Sequence, residues 1–483
     1  MTQTVDPSRY DIAIIGAGFA GSILARILAK HGRSVALIDA VDHPRFAIGE
    51  SSTPIADKIL RRLGEKHGIE TFQQLSSYAS WQSEHSDLAC GLKRGFSYYA
   101  HVDEQSYELS THNSLLVAAS ASDDVSDTHW YRSEVDEFLF DQAAAEGVTP
   151  LSNHRVTAID PGDWISITLD DQGVIQSRIA VDASGPSCVM AELLDATSLV
   201  GSIKTNTRST FAHFRGLASW SETHSRSDDP FNGDDAAQHH LIRDGWMWML
   251  RFNNDITSVG LTVTANGKPI LPLQGQYPSI ETMFAQATQC TPAQPRGPII
   301  TSRLQRFFDP IAAPNCWMLP TAAVAIDPLH STGIAHALAG VDRLADLILS
   351  DSQATAGTTA QAVAAERYAH DVRFETKFLD SLVAAAYESI NDFPRFSIAC
   401  MLYFVAAIAC EEHYDQGDTP SRLFHSSDKT FVSTISECVS QLNRNIPTDT
   451  VFAFVREKMK PYNQAGLFDT QANNRYQYTA TKN

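Results

Sequence analysis

Three glycines at fixed spacing carry the first chemical signal. Gly16-Ala17-Gly18-Phe19-Ala20-Gly21 fits GxGxxG and follows the apolar run Ile12-Ala13-Ile14-Ile15. From Phe19 to His31, small and apolar residues recur at helical spacing until Gly32 stops them. Strand, glycine turn and helix in that order are the wiring of a dinucleotide site. Gly16 permits the tight turn, Gly18 lets the backbone approach a pyrophosphate, and Gly21 lets helix and strand pack closely. Phe19 and Ala20 open the helix, whose free N–H groups and positive dipole end face the phosphates. Asp39 ends the next buried strand, placed to accept hydrogen bonds from the adenosine ribose hydroxyls.

Later segments bear on which nucleotide this is. Arg132 precedes an amphipathic helix carrying Asp136 and Leu139. Val181-Asp182-Ala183-Ser184-Gly185 ends a buried strand, and Ala325 to Ile334 runs into a helix whose N–H groups can meet an anion. NAD and FAD both fit the first fingerprint. One Rossmann unit followed by later glycine turns is how flavin-binding chains are wired. The chain has no second GxGxxG, which argues against a separate NAD(P)H domain.

The elements around these residues come from a chain of 483 residues, 43% hydrophobic and 19% charged, with a net charge of −19. That composition excludes a mostly disordered chain, and the acidic balance argues against nucleic acid. Seven scattered cysteines show no zinc spacing, so no metal site is expected and reduced thiols are. The first residues lack a basic and an apolar region of signal-peptide type, which predicts a cytoplasmic protein. Phe396 to Cys410 is apolar but shorter than the ~20 residues a spanning helix needs, so a buried helix is expected and no transmembrane segment. Strands are predicted at 95–101, 107–109, 153–159, 165–169, 179–182, 209–214, 245–252, 257–263 and 316–319. Helices are predicted at 333–349 and across 363–409 with a break at Pro394, and a linker at 351–362. The expected division is a discontinuous nucleotide-binding domain (8–190 and 300–350, with insertions over 70–130). A β-rich substrate-side domain (191–299), a helical region (351–470) and a loose tail (471–483) complete it.

Five segments together resemble the flavin-dependent halogenases, within the larger group of single-Rossmann FAD oxidoreductases. They are the fingerprint; Ile48-Gly49-Glu50-Ser51-Ser52-Thr53-Pro54 with Arg45 before it, similar to the family's GES-x-x-P turn; and Asp182-Ala183-Ser184-Gly185. Gly245-Trp246-Met247-Trp248-Met249-Leu250-Arg251 is close to GWxWxIP, and Asp327-Pro328-Leu329-His330-Ser331-Thr332-Gly333-Ile334 is close to DPLxSTGI. The resemblance implies an α/β fold: one Rossmann-type FAD domain of glutathione-reductase or aromatic-hydroxylase type, an inserted β-rich substrate domain and C-terminal helices.

It also implies chemistry. Reduced FAD from a separate flavin reductase, O₂ and chloride or bromide would give hypohalous acid, which halogenates an electron-rich aromatic, free or carrier-bound. Arg45, Gly49, Glu50, Ser51, Arg132, Ser184, Gly185, Asp327, Gly333 and Ile334 would join the fingerprint in holding FAD. The Thr332 and Gly333 amides would hold the halide, and Trp246, Trp248, Pro328, His330 and Ser331 would line the passage. Lys93, in Leu92-Lys93-Arg94-Gly95-Phe96, looks like the family's delivery lysine. Four departures are visible. Leu250-Arg251 replaces Ile-Pro, Ala325 replaces a Phe, His330 stands where tryptophan-directed members carry Glu, and Leu319-Pro320-Thr321-Ala322 replaces a GDA triplet. The alternative reading is a non-halogenating FAD monooxygenase or oxidoreductase of a lipophilic or aromatic substrate.

Overall fold

Residues 8–265, 267, 275–290, 298–350 and 359–478 are described by the computed structural model. Ser8–Ile15 and Val35–Ile38 are β-strands whose apolar runs are covered on both faces, as a parallel sheet requires. They lie in an eight-stranded sheet in which Cys316–Met318, Val174–Asp182, Ser8–Ile15, Val35–Ile38 and Thr149–Leu151 run parallel in that order. The register sets Ile15 beside both Ile38 and Asp182, and Asp182 beside Met318. Four strand ends therefore open onto one crevice, where open α/β sheets bind their ligands.

Thr207–Arg215, Ile256–Thr264, Gly245–Arg251, Ala237–Ile242, Gly95–Ala100 and Ser114–Ala118 form the body of a second, nine-stranded sheet. Its pairings are antiparallel except that Ala237–Ile242 runs parallel to Gly95–Ala100 and a late strand is parallel to Ser114–Ala118. Two strands of the 70–130 insertion thus belong to the substrate-side sheet. No strand forms at 107–109. The Tyr107 hydroxyl binds Asn113 and its N–H binds Ser279, which holds the segment as a loop, and Ser114–Ala118 pairs with Gly95–Ala100 instead.

Helix Pro54–His67 begins with Thr53 capping the Ala56 N–H and ends at Gly68 in the left-handed conformation. The predicted break at Pro394 separates helices Thr359–Glu388 and Phe393–Asp415, with Pro394 in the first turn of the second. Phe393–Asp415 has the length and hydropathy of a membrane span, but 83% of its apolar window is buried in the protein. Of the expected linker, 351–358 lie outside the described residues and Thr359 already starts a helix. The loose tail is corrected as well. Arg475–Tyr476 pair with Leu116–Val117, and Arg475 is anchored by Asp229 and the Ser114 hydroxyl. Residues 479–483 lie outside the described residues.

Candidate active site

The glycine turn sits where the strand ends converge. Gly16 has φ +110°, and a Cβ there would lie 2.4 Å from the Ala183 carbonyl oxygen. At Gly21 a Cβ would lie 2.0 Å from the Gly16 oxygen. Both glycines are thus required by backbone packing. Gly18 differs: a Cβ there would meet only Asp136, Arg45 and Arg132 side-chain atoms, at 3.6–3.8 Å. It faces a cradle lined by two guanidinium groups at the start of helix Phe19–Lys30. The Arg45 Nε and the Ser51 hydroxyl are buried without protein partners. The Arg45 guanidinium, with an uncommitted donor, beside an open glycine at a helix N-terminus fits a dinucleotide pyrophosphate. Bound FAD would lie along Gly16–Gly21, with Phe19 and Ala20 offering N–H groups.

Several expected FAD contacts turn out to shape the crevice through bonds within the chain. Asp39 accepts from the Ala17 N–H at 2.7 Å and from Arg45 at 2.9 Å through one oxygen, and from the Val41 N–H through the other. Arg132 chelates Asp136 at 2.7 and 2.8 Å, donates to the Ile48 and Gly49 carbonyls, and lies 4.6 Å over the Phe19 ring. The Ser184 hydroxyl donates to Asp182, while Gly185 faces open space in the left-handed conformation. The Glu50 carboxylate, expected at the flavin, is 2% exposed and bonded to His213 at 2.7 Å.

Residues 50–52 continue a small ribbon. Cys90–Lys93 pairs antiparallel with Asp127–Trp130, and Glu50–Ser52 attaches to that strand's other edge through Trp130 to Glu50, Ser51 with His129, and Ser52 to Thr128. This arrangement puts Lys93 beside the GES turn. The ammonium is fully buried, donates to the Ser52 carbonyl, lies 3.5 Å from Asp127 and sits 4.2 Å over the Phe96 ring. Lys93 is therefore no freely moving surface cation. Burial lowers its pKa, against the pull of Asp127 and Asp57. Burial raises Asp127 to about 6 and Asp57 well above the carboxylate range. Asp57 also accepts from the Ser52 hydroxyl at 2.5 Å. Arg94 points the other way, to Asp123.

Trp246 and Trp248 face one side of their strand with ring centroids 5.9 Å apart. Trp246 donates to the Tyr387 hydroxyl at 2.7 Å and Trp248 to Ser258. Tyr387 in turn donates to Asp327, which also accepts from Thr207 and the Leu329 N–H. Asp327 is thus internal: burial raises it to about 7, and it fixes the turn while leaving the flavin to other groups. After it, Pro328 accepts from the Ser331 N–H, and Ser331 takes φ +55°. Helix Gly333–Ser350 then begins. Its first intrahelical bond runs from His336 to Thr332, so the Gly333, Ile334 and Ala335 N–H groups have no acceptor within the helix. Nothing stands within 4 Å of a Gly333 Cβ. Three free N–H groups at an open helix start can accept an anion without a side-chain charge.

His330 is fully buried, stacked on Tyr403 at 4.1 Å, and neither ring nitrogen has a protein partner. Burial lowers its pKa to about 3, so the ring is neutral. Beyond the stack lies a narrow pocket whose walls include Thr53, Phe96, Val117, Phe404, Glu411 and Tyr476. Phe96 thus carries Lys93 on its ring and also lines the pocket. Sequence reasoning missed the pocket's carboxylate, Glu411. The signal was available: Phe404, Ala407 and Glu411 share a helical face, so an acid ends an otherwise apolar stripe. Arg251, one of the departures, holds the Leu217 and Ala218 carbonyls in a loop outside the pocket.

Residues 11–302 match the family model described as FAD dependent oxidoreductase. The chain belongs to that family. Within these FAD-dependent oxidoreductases it falls with the flavin-dependent halogenases. It is 26% identical over 421 residues to tetracycline 7-halogenase of Kitasatospora aureofaciens, covering 83% of this chain and 73% of that protein. It is 24% identical over 422 residues to monodechloroaminopyrrolnitrin halogenase PrnC of Pseudomonas fluorescens, covering 83% and 72%. The crystal structure of halogenase PltM superposes with a TM-score of 0.87 at 22% identity, over 96% of this oxidoreductase and 99% of PltM. Its complex with phloroglucinol and FAD gives 0.84, over 97% and 98%. The α/β fold with one Rossmann-type domain is the fold of these enzymes.

Proposed function

We propose that this oxidoreductase halogenates a small electron-rich aromatic in the pocket between the second sheet and helix Phe393–Asp415, with Lys93 as the delivery residue. The observation that carries the reading is one aromatic wall with two jobs: Phe96 lines the pocket and holds the buried Lys93 ammonium on its ring. FAD, when bound and reduced, would supply the two electrons with which O₂ oxidises chloride or bromide, one oxygen atom leaving as hypohalous acid, the other as water, and the flavin returning to its oxidised form. The Thr332–Gly333 amides hold the halide. The His330–Tyr403 stack stands between the Thr332 segment and the pocket that Tyr403 lines, and would keep the place where the oxidant forms apart from the aromatic substrate. Lys93 donates to hypohalous acid beside the ring to be halogenated, and Trp246 and Trp248 wall the flavin side.

A crystal grown with FAD and bromide tests the cradle: anomalous density at the Thr332–Gly333 amides is expected, and its absence at high bromide overturns the assignment. Supply of reduced FAD by a separate reductase follows from the single fingerprint. NADPH alone should leave the bound flavin oxidised under anaerobic conditions, and fast bleaching without a reductase would refute this. A cytoplasmic setting, where such a reductase and reduced thiols coexist, completes the reading.

A further inference from the structure

Glu411 is the one charged side chain lining the pocket, on walls otherwise made of aromatic, aliphatic and a few neutral polar residues. It is 6% exposed. Among the described residues its carboxylate makes no hydrogen bond or ion pair, and its oxygens are open to the pocket space rather than sealed in the core, so a ligand that fills the pocket must meet them or leave them unpaired. The nearby cations are elsewhere engaged: Lys58 pairs with Asp415, and Lys93 with Asp127 and Ser52. Lys93 sits over the ring of Phe96, which is itself a wall of the pocket that Glu411 lines. The protonated form of Glu411 is favoured by its burial, up to about pH 8, and either form keeps an acceptor oxygen.

We infer that Glu411 is the specificity-determining acceptor for the substrate's own O–H or N–H, so that the pocket takes aromatics carrying a hydrogen-bond donor and rejects their alkylated counterparts. This rests on the aromatic-halogenase reading above. A polar group left unmet in an apolar pocket discriminates strongly, because an analogue lacking the donor leaves it buried and unpaired. The geometry also orients the ring: the donor is fixed at the helix side, and the far edge of the ring faces Phe96 and the lysine behind it.

The test uses the FAD-loaded full chain with resorcinol and its dimethyl ether. Binding is measured by calorimetry and turnover with reduced FAD, O₂ and bromide. Glu411→Leu should weaken resorcinol binding by about 10- to 100-fold, the worth of a hydrogen bond to a buried carboxyl group, and change ether binding less than threefold. Glu411→Gln, which keeps an acceptor oxygen, should restore most of the resorcinol affinity. Equal loss for resorcinol and ether, or no loss for either, overturns the role of Glu411. Absence of resorcinol bromination by the unaltered enzyme, with resorcinol binding retained, would instead refute the halogenase reading, and the binding comparison would still decide Glu411. Removal of an unpaired buried acid should not lower thermal stability, so a melting temperature at or above that of the unaltered protein confirms a folded variant.

Discussion

At the carboxyl ends of the parallel strands, most polar side chains already have partners: Asp39 in Ala17 and Arg45, Asp182 in Ser184, Arg132 in Asp136. Across the molecule, Glu411 lines the pocket with no hydrogen bond or ion pair among the described residues, and behind the Tyr403 wall both nitrogens of His330 stand unpartnered. The crevice offers a ligand backbone and a few free donors within a pre-set frame. The pocket offers side chains whose needs only a ligand can meet. A cofactor common to a whole family suits the first construction, since main-chain geometry changes little with sequence. A particular substrate suits the second, where one side chain alters what is accepted.

The sharpest way to break the contrast is at Gly18. Gly18→Val should leave a folded chain, because its Cβ makes only ordinary contacts, yet its methyls would fill the cradle. Loss of flavin absorbance and with it all turnover is expected; a yellow, active variant would overturn the cradle. On the pocket side, Lys93→Met preserves apolar volume and removes the ammonium. Halogenation of the aromatic should fall by about 100-fold or more, as for one positioned catalytic donor, while flavin reoxidation continues. Because this strands Asp127 and Asp57, Lys93→Met/Asp127→Asn should recover stability without recovering activity.

The buried histidines give a smaller effect with a definite sign. His101, His129 and His330 are held near a pKa of about 3 and His239 near about 4, chiefly by burial. Unfolded histidines titrate at about 6.5. The stability these neutral rings contribute is therefore full above that pH and is lost as pH falls toward 3–4. Each adds about 1.4 kcal/mol per pH unit to the slope in that window. His330→Phe, which keeps the stack on Tyr403, should lower proton uptake on unfolding at pH 5 by about one; an unchanged slope of melting temperature with pH would exclude the assignment. The smallest effect expected is at Tyr387→Phe. Loss of the hydroxyl between Trp246 and Asp327 should cost about 1–2 kcal/mol, read by chemical denaturation.

The same contrast governs what the sequence makes legible. The crevice is coded within short windows, so Gly16, Gly18, Gly21 and Asp39 stand out by spacing, and the parallel strands by their apolar runs. The Trp pair follows from strand alternation alone. The pocket is assembled from Thr53, Phe96, Val117, Phe404 and Tyr476, which no local pattern relates. Lys93 was legible as a residue but not as a buried one, because Ser52 and Asp127 reach it only through strand pairing. Asp327 and Glu50 were legible as motif members. Their partners Tyr387 and His213 are too distant in sequence for their roles to be read.

The parallel pairing of Arg475–Tyr476 with Leu116–Val117 joins positions 359 residues apart in chain order, and Tyr476 is one wall of the pocket. The glycine turn, by contrast, is complete in the first forty residues, apart from its packing on Ala183. During synthesis at ~5–20 residues per second, the fingerprint emerges early, while the aromatic chamber waits for nearly the whole chain. A ribosome-bound or C-terminally clipped chain would thus acquire the means to bind flavin before it has a closed place to confine an oxidant's target. Clipping before Arg475 should uncouple oxidant production from its use, releasing hypohalous acid to solvent.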